Sequence, residues 1–590
     1  MMDGTHRYLF LGAGGMGMAP LACWMSRAGY SVSGYDAHLQ ECVRSWLDEA
    51  GVTLEDFIFS EQVSTFNTVV YSSAVPQSHP ILVSSREAGL RLLRRGEMLA
   101  EIAQNKRLIA VVGSHGKTTT SGMIAHGLRH CQIEANYILG GLFSDKSTPP
   151  AHFCESDWLV AEVDESDGTI DQFAPEVTLV LNVDWDHADH YGDAKKLDAA
   201  FSGLLKRTKQ KILLPDSFHL QSTGSASAQT FDGAAKRLGL DAAPSGRFNQ
   251  VNGDAAAAVI SFFDQPLKSD TLASFSGMAR RQSILYQDAQ LTVVEDYAHH
   301  PTEIDALIEC LRTNEPDKQL VVVFQPHRYS RTRQFKSEFA RSLQAADAVY
   351  LLPGYAAHES ELAGGKTADL ANAFTDQAPV ELVMSLGGMR QLQEAIKDSP
   401  TQLAFVGAGD IEEFAGAFAS WIRASDSVGQ VASPGPAGEA ASLDAAWVDY
   451  LVPRVSPDCK LKFHEPLANK TTIRIGGAAR FYAEPGNYSD LRVLLRAAEL
   501  YGLKSFCLGR GSNLLVSDHG FDGLVIRFSA SAWRRVVSLG EGRIWASAGG
   551  RLKEICGFAA KNGLAGFEFL EGIPGAVGGA LRMNAGAMGS

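Results

Sequence analysis

A chain of 590 residues with a formal net charge of −14 is too long for one hydrophobic core, and roughly three to five domains are expected. The acidic balance disfavours a chain that wraps nucleic acid, because neutralising phosphates needs a basic face. No apolar run approaches the roughly 20 residues that span a bilayer. The eight cysteines never form C-x-x-C, which speaks against a zinc ribbon or disulfide framework and for buried free thiols in a reducing cytoplasm.

In chain order, RYLFLGAGGMGM reads as strand, glycine turn and helix start, without the flanks of a signal peptide. Gly12, Gly14 and Gly17 satisfy G-x-G-x-x-G, and Asp36 closes the second strand, SVSGYD. The pattern offers a helix N-terminus to a pyrophosphate and a carboxylate to a ribose hydroxyl, so on the residues alone a nicotinamide dinucleotide is the natural ligand. FNTVVYSSAV follows as a further strand.

KRLIAVVGSHGKTTT opens a second strand-loop-helix unit. Gly113 and Gly116 let backbone amides turn toward phosphate oxygens at a helix start. Lys117 offers a charge to the outer phosphates, and the Thr118 hydroxyl suits Mg²⁺. No glycine stands five residues before Gly116, where the usual phosphate loop has one, so this is a variant. DWLVAEVDES and VTLVLNVDWDH are nearly continuous apolar runs ending in acids, as expected of parallel strands buried on both faces. Glu162 and His187 lie at the ends of these runs, where ligands collect, and Mg²⁺ needs only a few hard ligands. Each is equally readable as a solvated turn acid or a structural histidine.

A third α/β block runs through LTVVEDYAHHPTE, QLVVVFQPHRYSRT, AVYLLPGY and LAFVGAG. Between Ala424 and Ala446 the chain turns small and Pro/Gly/Ser-rich without periodicity, which reads as a flexible linker. Beyond it lies a module richer in glycine turns.

GSHGKTTT, AEVDESDGT, NVDWDHADHY, EDYAHHPTE and FQPHRYSRT, in this order, resemble the Mur ligase family, most closely its alanine-adding (MurC-type) branch, from residue 7 to about 422. The resemblance implies an α/β fold of three domains: a Rossmann-like UDP-sugar domain (1–105), a central P-loop ATPase domain (106–287) and a Rossmann-like C-terminal domain (288–423), with the linker at 424–446. It implies ATP at Gly113, Ser114, His115, Gly116, Lys117, Thr118, Thr119, Asn249, Asn252, Asp296 and His299, and magnesium at Thr118, Glu162 and His187. It places the UDP-sugar, in place of a nicotinamide, at Gly12, Gly14, Gly15, Gly17, Asp36, Ser72, Ser73 and Ala74. Catalysis would fall to Lys117, Glu162 and His187, with His327, Arg328 and Arg331 at the substrate carboxylate and transferred phosphate. SGRFNQVNG departs from the family at Phe248, where histidine is usual. FSGMARRQ, with Arg280 and Arg281, matches the usual end of the central domain.

NKTTIRIGGAARFYAEP, LGRGSNLLVSD and GIPGAVGGALRMNAGAMG resemble the FAD-binding half of the UDP-N-acetylenolpyruvoylglucosamine reductase (MurB) family. An α+β domain over 447–590 is implied, with FAD at Gly509, Gly511, Ser512, Asn513, Ile573, Gly575, Gly578 and Gly579. That family's catalytic serine and glutamate lie beyond the point reached at Ser590, so a truncated module without reductase activity is expected. The resemblances together imply ATP-dependent ligation of L-alanine to UDP-N-acetylmuramate through an acyl phosphate, in cytoplasmic peptidoglycan precursor synthesis. No nucleic acid or membrane insertion is expected, and oligomeric state is not legible. Three alternatives stay open: a related ligase that attaches a ready-made peptide in cell-wall recycling, a nicotinamide- or flavin-dependent oxidoreductase, and a non-catalytic scaffold.

Overall fold

The computed structural model describes residues 6–586 except 38, 56–57, 59, 146, 166–167, 185–192, 219–223, 244–245, 376–377 and 430–435. Three successive α/β sheets and a smaller α+β unit make up the chain. The first sheet is wholly parallel, in the order Thr53–Leu54, Ser31–Tyr35, Arg7–Leu11, Thr68–Tyr71, Arg91–Arg94. The glycine turn leaves its central strand, Arg7–Leu11, where the strand order reverses and ligands of open α/β sheets bind.

The second sheet has seven strands, with Arg107–Val112 between Val177–Val180 and Trp158–Glu162. Leu108 to Val112 are at most 2 % exposed, because helices cover both faces and only an unbroken apolar run satisfies that environment. The third sheet orders Leu291–Asp296, Thr401–Val406, Gln319–Phe324 and Ala348–Leu351 in parallel. Ser283–Gln287 adds to its edge antiparallel to Leu291–Asp296. The expected boundary at 287/288 therefore falls inside a hairpin, and the third unit starts before Ser283. Sequence patterning missed this because an edge hairpin has no helix to mark it.

The linker expectation fails for most of its length. Ile411–Gly429 and Pro436–Leu451 are helices that pack on each other. The segment is rich in alanine, the best helix former, and the apolar Ala446, Trp447, Tyr450 and Leu451 recur at helical spacing. These four are at most 2 % exposed and share one core with Phe414, Phe418 and Trp421 of the third domain and Phe481, Leu494 and Tyr501 of the trailing module. Trp447 lies against Phe481 with ring centroids 4.2 Å apart. Side chains of this size each contribute about 1.5–3 kcal/mol on full burial, so the module is docked on the third domain rather than tethered to it.

The trailing unit carries a four-stranded sheet in the order Lys460–Pro466, Ala478–Glu484, Phe521–Arg527, Lys504–Leu508, beside the hairpin Val536–Gly540/Arg543–Ala546. All eight cysteines are free, but only Cys23 and Cys310 are buried and Cys507 is exposed, so the buried-thiol expectation holds in part. Among the described residues no helix is long and apolar enough to cross a membrane.

Candidate active site

The strand Arg107–Val112 runs into Gly113, at φ +140°, and Gly116, at φ +84°, before the helix Lys117–His130. An added Cβ at Gly113 would lie 3.0 Å from the Asn182 carbonyl, so glycine is required both for the turn and for the close approach. The loop is tied to the end of the neighbouring strand. Asn182 Oδ1 accepts from His115 N at 2.8 Å and Asn182 Nδ2 donates to His115 O at 3.0 Å. Ser114 Oγ exchanges two 2.9 Å bonds with the Asp184 backbone.

Lys117 Nζ donates to Gly113 O at 2.7 Å and lies 3.0 Å from Glu165 Oε2. Burial opposes its charge, but Glu165 and Asp164 outweigh that and hold its pKa above the ordinary lysine value. Thr118 Oγ1 donates to Glu162 Oε2 at 3.1 Å, while Ser121 Oγ and Gly140 N donate to Oε1 at 2.8 and 2.7 Å. Thr118 and Glu162 thus form a pair of hard oxygens beside the loop, a donor set that fits Mg²⁺. His187, the third expected ligand, lies outside the described residues.

The third domain closes over the loop. Helix Pro301–Asn314 begins with a capping box in which Glu303 Oε2 accepts from His299 N at 2.9 Å and His300 N at 3.3 Å. The other oxygen of Glu303 lies 3.2 Å from His115 Nδ1, and Asp184 Oδ2 lies 3.3 Å from His115 Nε2. Burial alone would lower the His115 pKa; the bonds to Asp184 and Glu303 raise it to about 9. Its ring centroid stands 4.9 Å from that of His300.

Between the two domains opens a cleft of about 1090 Å³. His115, Gly116 and Thr119 line one wall, Phe248, Asn249 and Asn252 of helix Arg247–Ile260 another, and Arg280, Arg281 and Asp296 the third. Three distant motifs therefore converge. Asp296 accepts from Ala298 N and Gln282 N, at 2.7 and 2.8 Å, and burial raises its pKa to about 6.

His327, Arg328 and Arg331 gather at the end of strand Gln319–Phe324. His327 stacks on Tyr355, centroids 5.6 Å apart at 9°, and its ring lies 5.8 Å from His299. Burial first, then His299, Arg331 and Arg328, hold the His327 imidazole neutral, with its pKa down to about 2. Arg328 sits at φ +67°, a conformation that costs energy for a side chain with Cβ, with its N–H on Tyr355 O at 2.9 Å. Arg331 is 8 % exposed and 3.5 Å from His327 Nδ1.

Residues 7–107, 111–230 and 280–418 match the sequence profiles of the Mur ligase family catalytic, middle and glutamate ligase domains, and 479–590 match an FAD binding domain. The UDP-N-acetylmuramate–L-alanine ligase of Desulforapulum autotrophicum is 33 % identical over 410 residues, covering 64 % of this chain and 89 % of its own. That of Kineococcus radiotolerans is 35 % identical over 446 residues, covering 69 % and 92 %. The chain belongs to the Mur ligase family. The fold agrees: the crystal structure of UDP-N-acetylmuramate-alanine ligase from Thermotoga maritima superposes with a TM-score of 0.57 at 24 % identity, over 71 % of this chain and 99 % of that one. A murein peptide ligase from Psychrobacter arcticus gives 0.52 at 20 % identity, over 69 % and 97 %.

In the ligase's first domain, Asp36 Oδ2 accepts from Gly14 N at 2.8 Å, and a Cβ at Gly12 would lie 3.2 Å from Ser72 Cβ. The glycine turn (Gly12, Gly14, Gly15, Gly17) thus lies against Asp36 and the start of the segment Ser72–Ser73–Ala74, with Ser72 Oγ accepting from Ala74 N at 3.3 Å. Arg95 packs on Gly17 and reaches within 3.7 Å of Asp164, two residues from Glu162. In the trailing module Ser512 Oγ donates to Pro574 O at 2.7 Å, joining Gly509–Asn513 to Ile573–Gly579. Glycine-rich turns such as Gly509–Asn513, joined to the segment entering helix Val577–Met583, let backbone amides approach a pyrophosphate, which fits FAD.

Sequence reasoning missed Glu165, Asn182, Glu303, Arg95 and Tyr355. Glu303 had a signal: His300-Pro-x-Glu is a helix start with a capping acid three residues on. Glu165 lay in the quoted DES, behind the more obvious Glu162. Tyr355 and Arg95 carry none, because only tertiary packing brings them in.

Proposed function

We propose that this chain is an ATP-dependent ligase that joins L-alanine to the carboxylate of UDP-N-acetylmuramate through an acyl phosphate, in cytoplasmic peptidoglycan precursor synthesis. The observation that carries the reading is the interdomain cleft, where the phosphate loop, the Asn249/Asn252 helix and the Asp296 turn meet. The substrates are those named for the relatives at 33 and 35 % identity.

A carboxylate is a poor electrophile because oxide would have to leave. Its oxygen attacks the γ-phosphorus of ATP, the bond to ADP breaks, and phosphate becomes the leaving group. The alanine amine then attacks the carbonyl carbon, phosphate departs and the nitrogen loses a proton. Charge neutralisation and alignment suffice for such chemistry, so no side-chain nucleophile is required. Loop amides and Lys117 Nζ hold the outer phosphates, while Arg328 and Arg331 offer forked donors to carboxylate and phosphoryl oxygens. His327, kept neutral, orients Arg331 rather than adding charge. Magnesium held by Thr118, Glu162 and, by the family pattern, His187 would neutralise phosphate charge.

Incubating the protein with UDP-N-acetylmuramate, ATP and a panel of amino acids and tripeptide, while following ADP, tests the proposal. L-Alanine should give the largest Mg²⁺-dependent turnover; a response to tripeptide alone would replace it with the recycling reaction.

A further inference from the structure

Beside the shared apolar core, the trailing module reaches a turn of the third domain that leads straight to the arginine loop. Arg496, on helix Tyr488–Leu500, places Nε 2.6 Å from Glu413 Oε2 and Nη2 3.3 Å from Asp410 Oδ2. Arg492 reaches Glu413 at 3.1 Å, and Arg496 Nη1 is steadied by Glu499 at 2.9 Å. Asp410 is shared: its second oxygen accepts from Gln325 Nε2 at 2.7 Å. Gln325 is 1 % exposed, and its amide oxygen accepts from Ile411 N at 3.1 Å, so its side chain is clamped from both ends. The next residues are Pro326, His327 and Arg328. Pro326 O accepts from Tyr355 N at 2.8 Å, and Tyr355 in turn holds Arg328 N and stacks on His327.

We propose that Arg496, in the FAD-type module, is a positioning residue for the ligation site, acting through Asp410 and Gln325 on the loop that carries His327 and Arg328. The inference rests on the ligase reading above. On the Asp410 side, the forked Arg496 guanidinium joins Asp410 and Glu413 and holds the turn in one arrangement. Without it, the Asp410 carboxylate can leave Gln325, and the strained Arg328 backbone loses part of what holds it. From the other side the same turn is held by Arg280, whose Nη2 donates to Gly407 O and Gly409 O at 3.1 and 3.2 Å and whose Nη1 lies 2.9 Å from Glu412. The docked module is thereby part of the ligase's working structure, whatever flavin chemistry it serves.

The test is a double-mutant cycle on the full chain, Arg496→Ala, Asp410→Asn and both, with kcat and KM for ATP and the sugar nucleotide measured beside the melting transition. Wild-type ligation is measured first; its absence would reject the ligase reading itself. With wild type active, Arg496→Ala should lower kcat roughly 10- to 100-fold with KM for ATP changed far less, the double variant should be no worse than the poorer single one, and Arg496→Lys should recover part of the loss. An unchanged kcat in folded Arg496→Ala, or losses that multiply in the double variant, would overturn the proposal. If Arg496→Ala does not fold, Arg496→Lys against Asp410→Asn serves the same cycle, with the same two outcomes against it.

Discussion

Lys117 Nζ rests 3.0 Å from the fully buried carboxylate of Glu165. Lys117 is therefore charged and held in place by a partner that cannot turn to solvent. Lys117→Ala should cut ADP formation by roughly 10²–10³-fold and also destabilise the fold, because it leaves Glu165 buried without its counter-charge. Adding Glu165→Gln should restore the melting temperature but not turnover. Recovery of both would show that Lys117 only balances Glu165.

His115 makes the domain contact pH-dependent. The folded protein keeps its proton up to about pH 9, whereas an unfolded chain releases it near 6.5, so the native state binds more protons across that window. The contribution is whole below 6.5 and is lost as pH rises through about 9. Melting temperatures from pH 6 to 10 should fall faster for the wild type than for His115→Gln; parallel curves would contradict the assignment.

Much of this was legible because the candidate site residues stand at the ends of buried strands, where an unbroken apolar run stops at a glycine or an acid. LIAVVGSHGKT and VVEDYAHHPTE announce both the strand and the residues that follow it. What joins the parts was not legible. The Pro/Gly/Ser-rich stretch 424–446 reads as linker because composition does not say that the helix running through it has a neighbouring core to enter. Glu303 reaches His115, Tyr355 stacks on His327 and Arg496 pairs with Asp410, contacts between residues that stand apart in sequence.

Phe248 lines the cleft at 38 % exposure, and an aromatic ring there can stack on a flat base. Phe248→Ala should raise KM for ATP roughly ten-fold with little effect on kcat. Phe248→His should bind ATP nearly as well as the wild type. An unaltered KM in the alanine variant would remove Phe248 from the nucleotide site.

Gly511 stands at φ +66°, and a Cβ there would run into the Lys470 carbonyl. Gly511→Val should abolish flavin binding by the purified protein, and Ser512→Ala, which unlinks the turn from Pro574, should weaken it several-fold. Flavin absorbance after gel filtration reads both. Full flavin retention in Gly511→Val would place FAD elsewhere.

Activation of the carboxylate is tested most directly by the fate of its oxygen. With UDP-N-acetylmuramate labelled by heavy oxygen in the lactyl carboxylate, one labelled oxygen should appear in inorganic phosphate for each L-alanine joined. Ligation that leaves the phosphate unlabelled, or that proceeds when ATP is withheld, would contradict the account.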